Sequence, residues 1–252
     1  MIVVQSREVS LVETKPIKRA KYCLLGSPDV GLVGAIAVSF IIQSLKMDAV
    51  ASLDSEILPP LVVVHNGVPQ APLRAYAKND LAALISEIPV EPRAISPVAK
   101  AVVDWVQSRN AEVLVSISGV PVENRLDIEV PKVYGVGTSG TMLESFKKAG
   151  VEPLEEGFMV GLHAVVMKEC MKRGVNNIVL LAQSHLQYPD PGAAASAISV
   201  LNSLINLGVD VKKLLDEEEE IRLKTRELMQ RTQRSMSQIP KSSEQEIPMM
   251  YV

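Results

Sequence analysis

Cysteine is almost missing from this chain. Cys23 and Cys170 are the two among 252 residues, too few for a disulfide framework, and both sit in apolar stretches that mark them as buried free thiols. Histidine is nearly as scarce: His65, His163 and His185 are scattered, no two at metal-ligand spacing, so no metal is expected and each reads as structural. Neither charge dominates, with 26 basic against 29 acidic residues, and nothing therefore draws the protein to nucleic acid or to an anionic membrane. The longest apolar run, Leu32 to Ile42, is broken by Ser39 and falls short of the roughly 20 residues of a membrane span. Met1 to Ser10 lacks the apolar core of a signal peptide, so a cytoplasmic location is expected. Also missing are the Gly-x-Ser-x-Gly elbow of a serine hydrolase and the lysine of a phosphate loop, since Gly31 is followed by Leu32 and Val33.

What is present is apolar material, 47% of the residues, enough for one large core rather than two equal ones. Tyr22 to Leu45 organises it. Tyr22 to Leu25 is a strand too short to be a helix before Gly26, and Leu32 to Leu45 is a buried helix. Gly26, Gly31 and Gly34 stand where the chain must reverse and pack closely, with Pro28 supplying the turn and Asp29 a helix cap. Strand patterns follow at Ala49 to Leu53, Leu61 to His65, Pro72 to Ala77 and Leu81 to Ile88, with Asn66-Gly67 a reverse turn and Lys78-Asn79-Asp80 closing a hairpin. Ser96-Pro97 is expected to open a helix from Val98 to Arg109.

Glu112 to Ser118 and Lys132 to Val136 read as strands, and Met142 to Ala149 as a helix ended by Gly150. Leu162 to Arg173 is a helix, Asn177 to Gln183 a buried strand, and Pro191 to Leu207 a helix stopped by Gly208. This alternation specifies an α/β fold, a three-layer open, largely parallel sheet. Both glycine loops, the second being Gly135 to Thr141, are expected at carboxyl ends of parallel strands, where such folds bind ligands. The ligand loops to test are therefore Gly26, Gly31, Gly34, Gly137, Thr138 and Ser139, for a nucleotide-like molecule or an oxyanion. Close packing is the favoured reading of the first loop, and helix capping that of the hydroxyls. Glu87 with Asp127 or Glu129 would form an acid and base pair only if folding joined them.

Several short motifs together resemble the proteasome assembly chaperone type 2 family in its archaeal form: GSPDVGLVG (Gly26 to Gly34), ILPPLVVV (Ile57 to Val64) with Asn66-Gly67, SEIP (Ser86 to Pro89), YGVGTSGT (Tyr134 to Thr141) and EEGFMVG (Glu155 to Gly161). The resemblance runs from about Ile17 to Leu207 in the family's order. It implies a sheet of phosphorylase-like topology without the catalytic residues, no cofactor, and an ATP-independent homo-oligomer that engages the α-ring of the 20S proteasome.

Residues 1–208 are thus read as the α/β domain, 209–235 as an oligomerisation helix and 236–252 as a flexible tail. In the second segment Leu214, Ile221 and Leu228 are one heptad apart, a narrow stripe suited to a helix seam between copies, in a tetramer or pentamer, and this is favoured over a solvated helix flanking the core. Ser237 to Pro248 loses periodicity and carries two prolines, a tether of r.m.s. span roughly 20 Å. The chain closes on Met250, Tyr251 and Val252. The family resemblance gives this hydrophobic-Tyr-X ending a meaning, because proteasome activators insert such ends into pockets between α-subunits.

Overall fold

A computed structural model describes residues 5, 6, 9–17 and 19–238; the expected proteasome contact at Met250, Tyr251 and Val252 lies outside the described residues. The strands are β1 (Gln5–Ser6), β2 (Val9–Glu13), β3 (Tyr22–Gly26), β4 (Asp48–Asp54), β5 (Val63–His65), β6 (Val68–Gln70), β7 (Leu73–Lys78), β8 (Leu81–Ser86), β9 (Val113–Pro121), β10 (Val133–Gly137), β11 (Glu152–Pro153) and β12 (Asn177–Ser184). The helices are α1 (Val33–Leu45), α2 (Pro92–Ser108), α3 (Gly140–Ala149), α4 (Gly161–Arg173), α5 (Pro191–Ile205), α6 (Lys212–Asp216) and α7 (Glu218–Ser237). Among the described residues the main sheet has ten strands, in the order β1-β2-β4-β7-β8-β3-β9-β12-β10-β11.

Its centre, β8-β3-β9-β12, is parallel. Every residue of β8 and of β12 is buried, as strands covered on both faces must be. One face packs against α2 and α4 around Trp105, Val98 and Val166. The other carries α1, α3 and α5, with Leu24, Ile117, Phe146 and Leu180 in its core. The expected three-layer α/β fold is the observed one. No helix among the described residues is long and apolar enough to cross a membrane.

The hairpin signals hold. β7 and β8 pair antiparallel around Asn79, and β5 and β6 around Asn66-Gly67, whose φ values of 51° and 79° are those of a tight reverse turn. Several helix boundaries move, α3 beginning at Gly140 rather than Met142. α2 begins at Pro92 rather than Val98 and takes Pro97 inside it. Its apolar stripe already starts at Ala94 and Ile95, both buried, so packing outweighs the one backbone bond that Pro97 removes. α5 stops at Ile205 because Asn206 turns left-handed at φ 53°, before Gly208 is reached.

The C-terminal segment is not one continuous helix. It breaks at Glu217, so the acidic run Glu218, Glu219 and Glu220 forms a new first turn at the positive end of α7. Leu214 is fully buried in the subunit's own core, and Ile221 and Leu228 pack partly buried against the same cluster. Of the stripe expected to join neighbouring copies, Leu214 is thus taken up by the chain's own core, while Ile221 and Leu228 keep part of their surface outside it.

Both cysteines are free and buried, and burial pushes each thiol up to about 12. At pH 8 the thiolate fraction is then about one in ten thousand. Neither should react with a thiol-specific disulfide reagent in the native protein, and both should react once urea unfolds it.

Candidate functional site

The loop between β3 and α1 is built by close approach. A Cβ on Gly26 would lie 2.3 Å from the Gly34 carbonyl oxygen, and one on Gly34 would lie 2.2 Å from that of Ile117. Gly31 adopts φ +60°, and a Cβ there would be 1.9 Å from Ser184 Oγ. All three glycines therefore press against protein, which is the favoured structural reading. Gly34→Ala should cost about 3 kcal/mol, as forced overpacking does, read as a lower urea midpoint with an unchanged slope.

The second loop lies elsewhere. β10 runs antiparallel to β12, with Gly137 opposite Ile178, so Thr138 and Ser139 sit at the amino edge of the parallel strands. The expectation that both glycine loops share the carboxyl edge fails on the direction of this one strand. Thr138 Oγ1 accepts from Asn177 N at 3.0 Å, Ser139 Oγ bonds Thr141 Oγ1 at 2.9 Å, and Ser139 makes no side-chain cap. A Cβ on Gly137 would meet Met142 Cβ at 2.7 Å.

Sequence spacing missed the polar cluster beside the first loop. Asp29 does not cap α1; its Oδ2 accepts from Ser118 Oγ at 2.6 Å and lies 3.1 Å from His163 Nε2. Ser27 Oγ is 3.1 Å from the same nitrogen. β3 and β9 deliver the serines and aspartate to the carboxyl edge, and α4 delivers the histidine, 136 residues from Ser27 in sequence. The only local signal was polarity next to Gly26. A serine-histidine-aspartate relay needs its partners on opposite ring nitrogens, whereas here both lie at Nε2 and the buried Nδ1 has no hydrogen-bond partner. The arrangement can clasp the loop to α4, and it lacks the geometry to activate Ser27.

Glu87 and His65 belong to one ion-paired group. Glu87 does not meet Asp127 or Glu129 as an acid and base pair; it is bound by Arg74 and, at 2.7 Å, by His65 Nε2. Arg74 also donates to Tyr76 Oη and to the Ala71 carbonyl, each at 2.8 Å. Burial lowers the pKa of His185, opposed by the Asp190 carboxylate. Asp190, fully buried, takes Arg125 Nε at 2.7 Å and Nη2 at 2.9 Å, and its oxygens also accept from His185 N and Ala193 N. That residue ties the end of β12 to the start of α5. Among the described residues no group of three or more His, Cys, Asp or Glu could hold a metal.

A family model described as the PAC2 family matches residues 23–229. The chain belongs to the PAC2 family. The match runs past residue 208 through α6 into α7, in keeping with a C-terminal segment packed on the core. The PAC2 chain is 31% identical over 222 residues to an uncharacterized protein of Methanocaldococcus jannaschii, covering 88% of this chain and 89% of that one. Pyrococcus furiosus PbaA, described as an archaeal homolog of proteasome-assembly chaperone, is 31% identical with a TM-score of 0.85, covering 90% of this PAC2 chain and 99% of its own. Pyrococcus furiosus PbaB, described as an archaeal proteasome activator, shares the fold with a TM-score of 0.75 at 23% identity, covering 88% and 99%.

Proposed function

We propose that this PAC2 protein is an ATP-independent, cytoplasmic proteasome assembly chaperone or activator. Its α/β body forms a homo-oligomer, and Met250, Tyr251 and Val252 dock into the α-ring of the 20S proteasome. The reading rests chiefly on the 31% identity to PbaA along 90% of the chain, joined to a closing tripeptide of the hydrophobic-Tyr-X type. The activator description of PbaB accords with it in fold.

Chemistry favours such a contact. Where Val252 is the free end, its carboxylate pairs with a lysine of the partner, Tyr251 buries its ring while its hydroxyl keeps a hydrogen bond, and Met250 fills an apolar recess. One tripeptide binds feebly, but several on one oligomer act together. Leu214 faces inward, which leaves Ile221 and Leu228 of that stripe for contact between copies; the exposed Val64 and Val68 of the β5-β6 hairpin, with Val62 beside it, offer a second surface. No covalent chemistry is assigned.

Removal of residues 250–252 should abolish co-sedimentation with purified archaeal 20S particles while leaving the oligomer's sedimentation coefficient unchanged. Unaltered co-sedimentation would reject the tail contact.

A further inference from the structure

In an open α/β sheet the ligand crevice lies where neighbouring parallel strands send their connections to opposite faces. β3 and β8 are adjacent and parallel. β3 leads into α1 on one face and β8 into α2 on the other, so this molecule's crevice is at their carboxyl ends. A cavity of about 340 Å³ lies there, between α1 and the C-terminal helices, within the range of about 300 to 1,000 Å³ usual for small-molecule sites. Ile36 and Phe40 of α1, Ile85 of β8, and Ile221 and Leu228 of α7 supply its apolar walls.

The ionisable groups on its wall are unevenly placed. Lys224 and Glu217 line the cavity with side chains 70% and 45% exposed, and each is paired along its own helical segment, to Glu220 and Lys213. Glu87 is 22% exposed and is the innermost of the carboxylates. Arg74 holds one of its oxygens, and His65, which lines the cavity as well, holds the other, yet a carboxylate has about four acceptor sites and these two bonds use only part of them. A phosphate or carboxylate ligand would meet Glu87 and Glu217 with Lys224 already engaged. A protonated amine would meet an acceptor.

We propose that this cleft is a binding site for a compact, predominantly aromatic or branched apolar molecule bearing one protonated amine, the amine on Glu87 and the apolar body between Phe40 and Ile221. Such a ligand bridges α1 to α7. That helix needs the contact: of its 20 residues only Met229 and Thr232 are buried among those described. Occupancy would therefore fasten the helix from which residues 239–252 continue. The chemistry is shared by free arylalkyl amines and by the N-terminal residue of a peptide.

The full chain is titrated calorimetrically with phenethylamine, with the tripeptide Phe-Gly-Gly, and with 3-phenylpropionate as the isosteric anion. Saturable binding of either amine, at least about tenfold tighter than the anion as a charged hydrogen bond gives, is the expected result. Phenethylamine alone would mark a free amine as the ligand and Phe-Gly-Gly alone a peptide N-terminus. Ile221→Trp, which fills the cleft from a half-buried position, should remove binding while the thermal transition persists. Amide exchange at 221–228 should slow when the cleft is occupied. Equal affinity for the anion, no saturation by either amine, or binding unaffected by Ile221→Trp would overturn the assignment.

Discussion

Tyr251→Ala is expected to weaken the association with 20S proteasomes by about 30-fold for each engaged tail, the effect of losing roughly 2 kcal/mol at a buried aromatic anchor. In the proposed homo-oligomer the tails would act together, so the observed loss should approach complete dissociation. Tyrosine has an apolar ring and a polar tip: buried, it contributes area and keeps one hydrogen bond. Tyr251→Phe should therefore retain most of the ring's contribution and fall between wild type and alanine. Association measured by surface plasmon resonance, with the oligomer immobilised and 20S particles in the flow, gives all three values. The thermal transition of the α/β body is expected not to move; a variant that binds as wild type would remove the aromatic anchor.

Asp190→Ala carries the largest expected cost in stability, about 3 to 5 kcal/mol, the range for breaking a buried ion pair from one side. Arg125 is 7% exposed and Asp190 fully buried, so the substitution strands a guanidinium with its desolvation unrepaid. It also removes the acceptor for Ala193 N at the first turn of α5 and for His185 N. Arg125→Met combined with Asp190→Leu should recover much of the loss, because an apolar pair leaves no unpaired charge. Urea unfolding of Arg125→Met, Asp190→Leu and the double closes that cycle. If Asp190→Ala unfolds within about 1 kcal/mol of wild type, the pair is not the tie between β12 and α5 described here.

Local signals were legible in the chain and long-range ones were not. Asn66-Gly67 and Asn79 announced their hairpins because turn chemistry is set by neighbouring residues. Gly26, Gly31 and Gly34 announced a tight crossover, and the atoms pressed against them bear it out. The direction of β10 was invisible, since a five-residue strand reads the same parallel or antiparallel. That one reversal sends Gly137, Thr138 and Ser139 to the opposite edge from Gly31. Ser27, Asp29, Ser118 and His163 meet only through β3, β9 and α4, and no spacing in a single sequence encodes such a meeting. The heptad of Leu214, Ile221 and Leu228 was a true apolar stripe, but periodicity names the buried face of a helix and not what covers it.

Replacing Tyr251 by a photo-crosslinking benzoylphenylalanine and irradiating the protein with 20S particles tests the central claim most directly. The account predicts adducts to α-subunits, identified by mass spectrometry and lost when unlabelled full-length protein competes. Adducts confined to this chain itself, or to none of the α-subunits, would contradict it.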